Sequence, residues 1–446
     1  MCFSYVSYVP MCFKILIMYI PEIEKAGRAE IRRFQESQLP TLLNYLKVNS
    51  PFYSQFFKLH GIDVNNIKTM DDLATIPVTT KDMLQNNNMD FLCVDRGKII
   101  DYITTSGTLG DPVTFTMTEN DLERLAYNEY ISFLCAGGSA ADIYQLMVTM
   151  DRRFMAGLAY FSGIRKIGAG VVRVGPGNPE LQFDTILRIR PTSLVTVPSF
   201  IIKLIEFAEN NGIDLNKTSV KRAICIGEAL RNNDFTLNTL GMRIREKWDI
   251  QLFSTYASTE MGTAFTECEH GKGGHHHPEM IIVEFLDEND QPVNEGELGE
   301  VTITNIGVEG MPLLRFKTGD ICYHFSEPCA CGRTTMRLGP VIGRKKQMIK
   351  FKGTTLYPPA LYDILNDIEQ VKNYVVEVST NSIGTDHILL KLEVESPTKE
   401  LEKLIKDHFR ARIRVAPFIE FVNAREIQKI QFPSLSRKPV TFIDNR

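Results

Sequence analysis

The sequence predicts an α/β protein with a large multi-layer N-terminal domain and a small α+β C-terminal domain. Three observations carry this. Between residues 99 and 254, short apolar runs rich in β-branched residues alternate with helical sequence. Beyond residue 280 the texture becomes strand after strand joined by polar turns. After residue 347 a compact mixture of helices and strands closes the chain. The first pattern argues for a largely parallel sheet covered by helices, and 446 residues exceed what one ordinary core holds.

Taken in order, residues 22–53 read as helices, with Ile31, Phe34, Leu39, Leu42, Leu43 and Leu46 apolar at helical spacing. IIDYIT and VTFTMT are strands. Thr118 then opens a helix with capping-box spacing to Asp121. SLVTVP and RAICIG are further strands, each followed by helical sequence. IIVEFLDENDQPVNEGELGEVTITNI reads as antiparallel strands with NDQP and NEGE as turns. After GRKKQ come a helix (ALYDILNDI), two strands (NYVVEVS, HILLKLEVE) and a helix (ELEKLIKDHFRARI). The expected division is residues 18–342, a hinge at 343–347, and residues 348–446.

Hydrophobic residues at 43%, charged residues at 23% and a net charge of -4 describe an ordinary globular chain without the basic excess of a nucleic-acid binder. The apolar run MCFSYVSYVPMCFKILIMYI has Lys14 as its one basic residue, is interrupted by Pro10 and lacks a small-residue cleavage site. It fits neither a signal peptide nor a membrane span. Met18 is read as the start and residues 1–17 as a gene-model extension or a disordered segment. No later run is long enough to span a bilayer, so a soluble protein is expected. Nine scattered cysteines read as reduced thiols in a cytosol, a subset of them binding metal. A homodimer is left open.

Four motifs carry chemistry. TTSGTLGDP (104–112) lies between two strands and is not a Walker A loop, but its hydroxyls and glycine amides can wrap phosphate oxygens; alone it is equally a polar hairpin loop. IGEAL (226–230) follows a strand, where ligands bind in open α/β sheets, and alone is an ordinary strand-to-helix turn. In YASTE (256–260) the tyrosine ring can stack on a base and the glutamate can hold Mg²⁺; alone it is a helix N-cap. In TGD (318–320) a carboxylate after a glycine turn can accept both hydroxyls of a ribose, and alone it is a plain turn.

The order of these motifs, continued by GRKKQMIKFKG and a late Lys438, resembles the adenylate-forming superfamily, and within it the phenylacetate–CoA ligase family. YIPEIE near Tyr19, SPFY near Ser50 and the ending RKPVTFIDNR share that resemblance, which covers nearly the whole chain from Met18. It implies a large AMP-binding adenylation domain and a mobile C-terminal domain. It places the ATP phosphates on Ser106, Gly107, Thr108 and Gly110, and the adenine pocket on Gly227, Glu228, Ala229, Tyr256, Ala257 and Ser258. It puts the α-phosphate at Thr259, magnesium at Glu260, the ribose at Asp320 with Arg344 beside it, the hinge at Lys346 and the catalytic lysine at Lys438. The implied reaction joins a carboxylic acid, of aryl or arylacetic type in this family, to coenzyme A through an acyl-adenylate. After adenylation the small domain turns about Lys346, withdraws Lys438 and brings Lys352 and Gly353 to the pocket. A carrier-protein thiol or an amine as acceptor, or a nucleotide-binding homologue without turnover, are the competing readings.

Two positions depart from the family. Asp111 stands where lysine is frequent, which reverses a charge in the phosphate loop. Residues 150–154 (MDRRF) are charged where aryl-acid ligases carry aromatic and glycine residues, which points to a more polar acid.

Cys268, Cys329 and Cys331, with one histidine of the glycine-rich run 270–277, have the chemistry of a closed structural zinc site. The residues alone do not choose among His270, His275, His276 and His277; spacing within the resemblance selects His275.

Overall fold

The computed structural model describes residues 20–105, 113–351, 354–380, 386–433 and 439–446. Residues 1–17, Ser106, Gly107, Thr108, Gly110, Asp111, Lys352, Gly353 and Lys438 lie outside the described residues.

The helix Arg28–Asn49 buries Leu39, Leu42, Leu43 and Leu46, the stripe its spacing dictates. Ser50 caps the next helix, Pro51–Leu59, whose Phe52 and Tyr53 pack on Phe91. The helix Glu119–Cys135 begins at Thr118 with a complete capping box, Thr118 and Asp121 each serving the other's backbone N–H.

A six-stranded sheet follows, in the spatial order Gly170–Arg173, Ile143–Leu146, Ser193–Thr196, Arg222–Ile226, Gln251–Ser258 and Thr263–Thr266. The first five strands are parallel and the last is antiparallel. Ser193–Thr196 is buried along its whole length, as expected of a strand covered on both faces. One expectation fails here. Arg222–Ile226 does not feed a helix directly; residues 227–238 intervene before Thr239–Lys247, held by a bridge between Arg231 and Leu237.

The antiparallel region forms a five-stranded sheet in the order Ile281–Leu286, Gly299–Asn305, Phe316–Phe325, Arg337–Arg344 and Gly274–His275. TGD lies inside one of its strands and is not a plain turn. Glu300 pairs with Ile321 and Thr302 with Lys317, so Thr318, Gly319 and Asp320 together face Val301. Gly319 takes a left-handed φ of 82° that suits glycine, and Thr318 Oγ1 ties the bulge to the Val301 carbonyl at 2.8 Å.

From Ile349 the chain buries a cluster of its own, centred on Ile364, Leu390 and Phe409, under a four-stranded sheet. Arg446 folds back to the carbonyls of Met348 and Lys346 and pairs with Asp386. This region meets the preceding one where the amide of Thr239 donates to Asp363 at 3.1 Å and Arg243 donates to the Asn366 carbonyl at 3.1 Å.

At the other end of the chain the short helix Glu22–Lys25 inserts a fully buried carboxylate, Glu24, between His277 and Arg333, which are also buried. Thr334 adds hydrogen bonds to the Glu24 and Ala26 carbonyls. Removing one member of a buried charged pair strands the other. Glu24→Ala is therefore expected to lower unfolding free energy by about 3–5 kcal/mol, read as a shifted urea midpoint. A shift worth under about 1 kcal/mol, the range of exposed pairs, would show that the network does not anchor this segment.

Candidate active site

A cleft of about 1280 Å³ opens at the C-terminal ends of the parallel strands and is closed on its far side by the C-terminal region. Gly227, Glu228, Ala229, Tyr256, Ala257, Asp320, Arg344 and Lys346 all line it, so most of the residues expected at a nucleotide site converge there. Pro439, next in sequence to Lys438, lines it too. YASTE is not a helix N-cap. Tyr256, Ala257 and Ser258 complete the strand Gln251–Ser258, and Thr259 and Glu260 occupy the turn after it.

The centre of the cleft wall is Asp320. The Tyr256 hydroxyl donates to its Oδ2 at 2.8 Å, and Arg344 Nε donates to its Oδ1 at 3.2 Å. The bulge sets this up, because Asp320 sits directly across the ladder from Arg344. Burial raises the Asp320 pKa, and Arg344 and Tyr256 offset that only in part; the Glu260 carboxylate adds to the rise. Tyr256 is pushed well above its ordinary value by burial and by the Asp320 carboxylate, so its hydroxyl stays a donor. A carboxylate has about four acceptor positions. With two filled by protein donors, two remain for adjacent hydroxyls.

Gly227 ends its strand with φ at 75°, which lets main chain form the cleft floor. Glu228 accepts from the Ser199 hydroxyl at 2.7 Å and the Ser199 amide at 2.8 Å, at the start of the helix Pro198–Asn210. Ser199, Tyr362 and Tyr374 also line the cleft, the two tyrosine rings stacked with centroids 5.6 Å apart. Sequence reasoning missed these three, and no local motif marks them. Lys346, in the turn Lys345–Gln347, pairs with Asp82 at 2.7 Å.

Ser258 does not line the cleft; its hydroxyl accepts the Met261 amide inside the turn. Thr259 and Glu260 line a second, small cavity of about 40 Å³, together with Arg124 and Asn305. The Glu260 carboxylate has no hydrogen bond or ion pair among the described residues. Its oxygens are the kind of ligand a hard divalent cation takes.

On the antiparallel sheet, Cys268, His275, Cys329 and Cys331 bring their ligand atoms within 4.8 Å of one another. Cys268 Sγ lies 3.6 Å from Cys329 Sγ, and Cys331 Sγ lies 3.6 Å from His275 Nε2. The other histidines are engaged elsewhere: His276 bonds the Ile281 carbonyl, His277 pairs with Glu24, and His270 is exposed beside Glu269. Three thiols and one imidazole at this spacing fit tetrahedral zinc.

Residues 63–310 match the AMP-binding enzyme family. The chain belongs to that family. It is 28% identical over 387 residues to the phenylacetate-coenzyme A ligase of Thermus thermophilus, covering 85% of each chain. It is 26% identical to the phenylacetate-coenzyme A ligase of Escherichia coli, over 85% of this chain and 86% of that one. Among solved structures, 2-hydroxyisobutyryl-CoA ligase in its postadenylation state superposes with a TM-score of 0.83 at 21% identity, covering 99% of this chain and 95% of that one. The same enzyme in the thioesterification state gives 0.71 at 22% identity and equal coverage. The phenylacetate–CoA ligase resemblance read from the motif order is thereby shown.

If Asp320 holds a ribose through its ionised carboxylate, acid should weaken that grip. As pH falls from about 7 toward 4, affinity for AMP should drop where the raised Asp320 pKa is crossed, above the pH at which an ordinary aspartate titrates. Calorimetric titration with AMP checks this. Asp320→Asn should bind weakly with a flat profile; an unchanged profile in the variant would remove Asp320 from the ribose site.

Proposed function

We propose that this chain activates a carboxylic acid with ATP and passes the acyl group to coenzyme A, giving acyl-CoA, AMP and pyrophosphate. The carrying observation is the Tyr256–Asp320–Arg344 linkage on the wall of a cleft whose floor is Gly227 and whose far side is the C-terminal region. A buried carboxylate beside an aromatic ring and a guanidinium suits a nucleoside, and the room beyond suits an acid and a thiol.

Asp320 accepts the ribose hydroxyls and Tyr256 presents its ring to the base. Thr259 donates to the α-phosphate. Glu260 would hold magnesium, which when bound would neutralise triphosphate charge. Lys438 brings a positive charge to the reacting oxygens, where charge stabilisation is most of what the step needs. A substrate carboxylate oxygen attacks the α-phosphorus and the bond to pyrophosphate breaks. The thiol of coenzyme A then attacks the acyl carbon, loses its proton, and AMP leaves with the bonding pair.

Between the two steps residues 348–446 turn about Lys346 on the hinge 343–347, bringing Lys352 and Gly353 to the cleft, while residues 18–342 stay fixed. The higher TM-score against the postadenylation arrangement supports reading the present arrangement as that stage of the cycle. The acid is of the aryl or arylacetic type that the family implies, or a more polar relative of it. Arg152 and Arg153 are exposed, and the Arg153 carbonyl accepts from Thr104, which leads into the phosphate loop. Ser106, Gly107, Thr108 and Gly110 serve that loop. Zinc on Cys268, His275, Cys329 and Cys331 is structural, since a closed set leaves no position for reacting water. The described cysteines are all free thiols, which fits a reducing cytosol, and among the described residues no helix is long and apolar enough to cross a membrane.

Acid-dependent exchange of labelled pyrophosphate into ATP, run over a panel of aryl, arylacetic and hydroxy acids, tests the first half-reaction. At least one acid should support exchange, and no exchange with any would leave a nucleotide-binding homologue. Lys438→Ala should cut exchange by about three orders of magnitude or more, comparable to other losses of transition-state charge stabilisation, and spare thiol attack on supplied acyl-adenylate. Equal exchange in parent and variant would remove Lys438 from the first step. Purified protein should carry about one zinc per chain, and Cys329→Ser should lower zinc content and melting temperature together. Fully active protein without zinc would return the four residues to ordinary thiols and an imidazole.

A further inference from the structure

Glu260 sits in the four-residue connection 259–262 between two strands, and among the described residues nothing within that connection fixes it tightly. Among the described residues the turn closes on itself through Ser258, whose carbonyl accepts the Gly262 amide at 3.2 Å and whose hydroxyl accepts the Met261 amide at 3.3 Å. Its own outward carbonyls, Met261 O and Gly262 O, are taken by side chains from elsewhere. Asn305, buried in the antiparallel sheet, donates to Met261 O at 2.9 Å and accepts the Leu313 amide at 2.9 Å. Arg124, from the helix Glu119–Cys135, donates through Nη1 to Gly262 O at 2.8 Å and through Nη2 to Thr263 Oγ1 at 3.3 Å.

The same guanidinium reaches further. Nη2 also donates to Met280 O, and Nε to Ile306 O at 2.8 Å. All four hydrogen bonds of Arg124 among the described residues end on oxygens without formal charge. It is therefore not half of an ion pair. It is a planar fork joining the last turn residue, the first residue of the strand Thr263–Thr266, and the residues that flank two strands of the antiparallel sheet, Met280 before Ile281–Leu286 and Ile306 after Gly299–Asn305. Only a rigid, multi-donor group spans three segments this way. Gly262 has φ at 53°, and a Cβ there would lie 3.5 Å from Arg124 Nη1, so the turn and the guanidinium are packed against each other. Arg124 and Asn305 line the same small cavity as Thr259 and Glu260.

We infer that Arg124, assisted by Asn305, is a positioning residue that clamps the Thr259–Glu260 turn and so fixes the carboxylate that receives the divalent cation of the nucleotide. Its effect passes through the main chain of residues 261–263 to Glu260. The inference rests on the reading of Glu260 as the magnesium ligand. A site must be held within a fraction of an ångström by what surrounds it, and lysine in place of Arg124 keeps the charge but loses the fork.

The test reads cation binding and not turnover. Mn²⁺ is titrated into the complex of full-length protein with α,β-methylene-ATP and followed by electron paramagnetic resonance, and nucleotide affinity is measured separately in EDTA. Arg124→Lys should weaken Mn²⁺ binding about tenfold, the order of one lost charged hydrogen bond, and leave the affinity in EDTA within about twofold. Glu260→Gln should weaken Mn²⁺ at least as much. Parent-like Mn²⁺ binding in Glu260→Gln would overturn the reading of Glu260. Weakened binding in Glu260→Gln with parent-like binding in Arg124→Lys would leave that reading intact and overturn the clamp. A matching loss of nucleotide affinity in EDTA would also overturn it, by showing general loosening of the cleft. If Arg124→Lys does not fold, Asn305→Ser, which shortens the donor to Met261 O, carries the same expectation and the same contradiction.

Discussion

The Asp320 carboxylate is the constraint on which the rest of the cleft depends. Through Tyr256 it holds the end of the parallel sheet, and through Arg344 it holds the last strand of the antiparallel sheet one residue before the turn Lys345–Gln347. Three parts of the molecule therefore meet at one buried charge. Burying a carboxylate is unfavourable unless it is paired and hydrogen-bonded, and here both oxygens have a donor from a different element. The two donors offset the burial of the charge, and in the function proposed above this carboxylate sets where the nucleoside lies. A ligand that adds hydroxyls to this carboxylate is linked through it to Tyr256 in one sheet and Arg344 in the other.

How the chain reaches this geometry explains what could be read beforehand. The helix stripe at Leu39, Leu42, Leu43 and Leu46, the capping box at Thr118 and Asp121, and the strands SLVTVP and RAICIG are local, and local periodicity reveals them. The convergence of Gly227, Tyr256, Asp320 and Arg344 was legible only from the order of four motifs, since each alone has a commoner explanation. The zinc-type cluster was legible from its donor chemistry. What singles out His275 in the fold is that His276 and His277 are engaged by Ile281 and Glu24.

The rest was not legible for a physical reason: it is made by side chains distant in sequence meeting main chain. TGD looks like a turn because glycine followed by aspartate usually is one. It becomes a bulge only because Glu300 and Thr302 pair on either side of it. Nothing near Glu24 announces that it will be fully buried between His277 and Arg333. Arg124 sits on a helix that the sequence marks only by its capping box, and its four acceptors come from three separate segments of the chain. Gripping main-chain carbonyls leaves no mark in composition or spacing.

The proposed function turns on a single chemical event, attack of a substrate carboxylate on the α-phosphorus of a nucleotide that the proposal seats on Asp320. The most direct measurement follows the oxygen. An accepted acid labelled with ¹⁸O in its carboxylate is turned over with ATP and coenzyme A, and the products are analysed by mass spectrometry. Attack at the α-phosphorus places one labelled oxygen in the phosphate of AMP and none in pyrophosphate. Label in inorganic phosphate or pyrophosphate, or acyl transfer with unlabelled AMP, would contradict the mechanism.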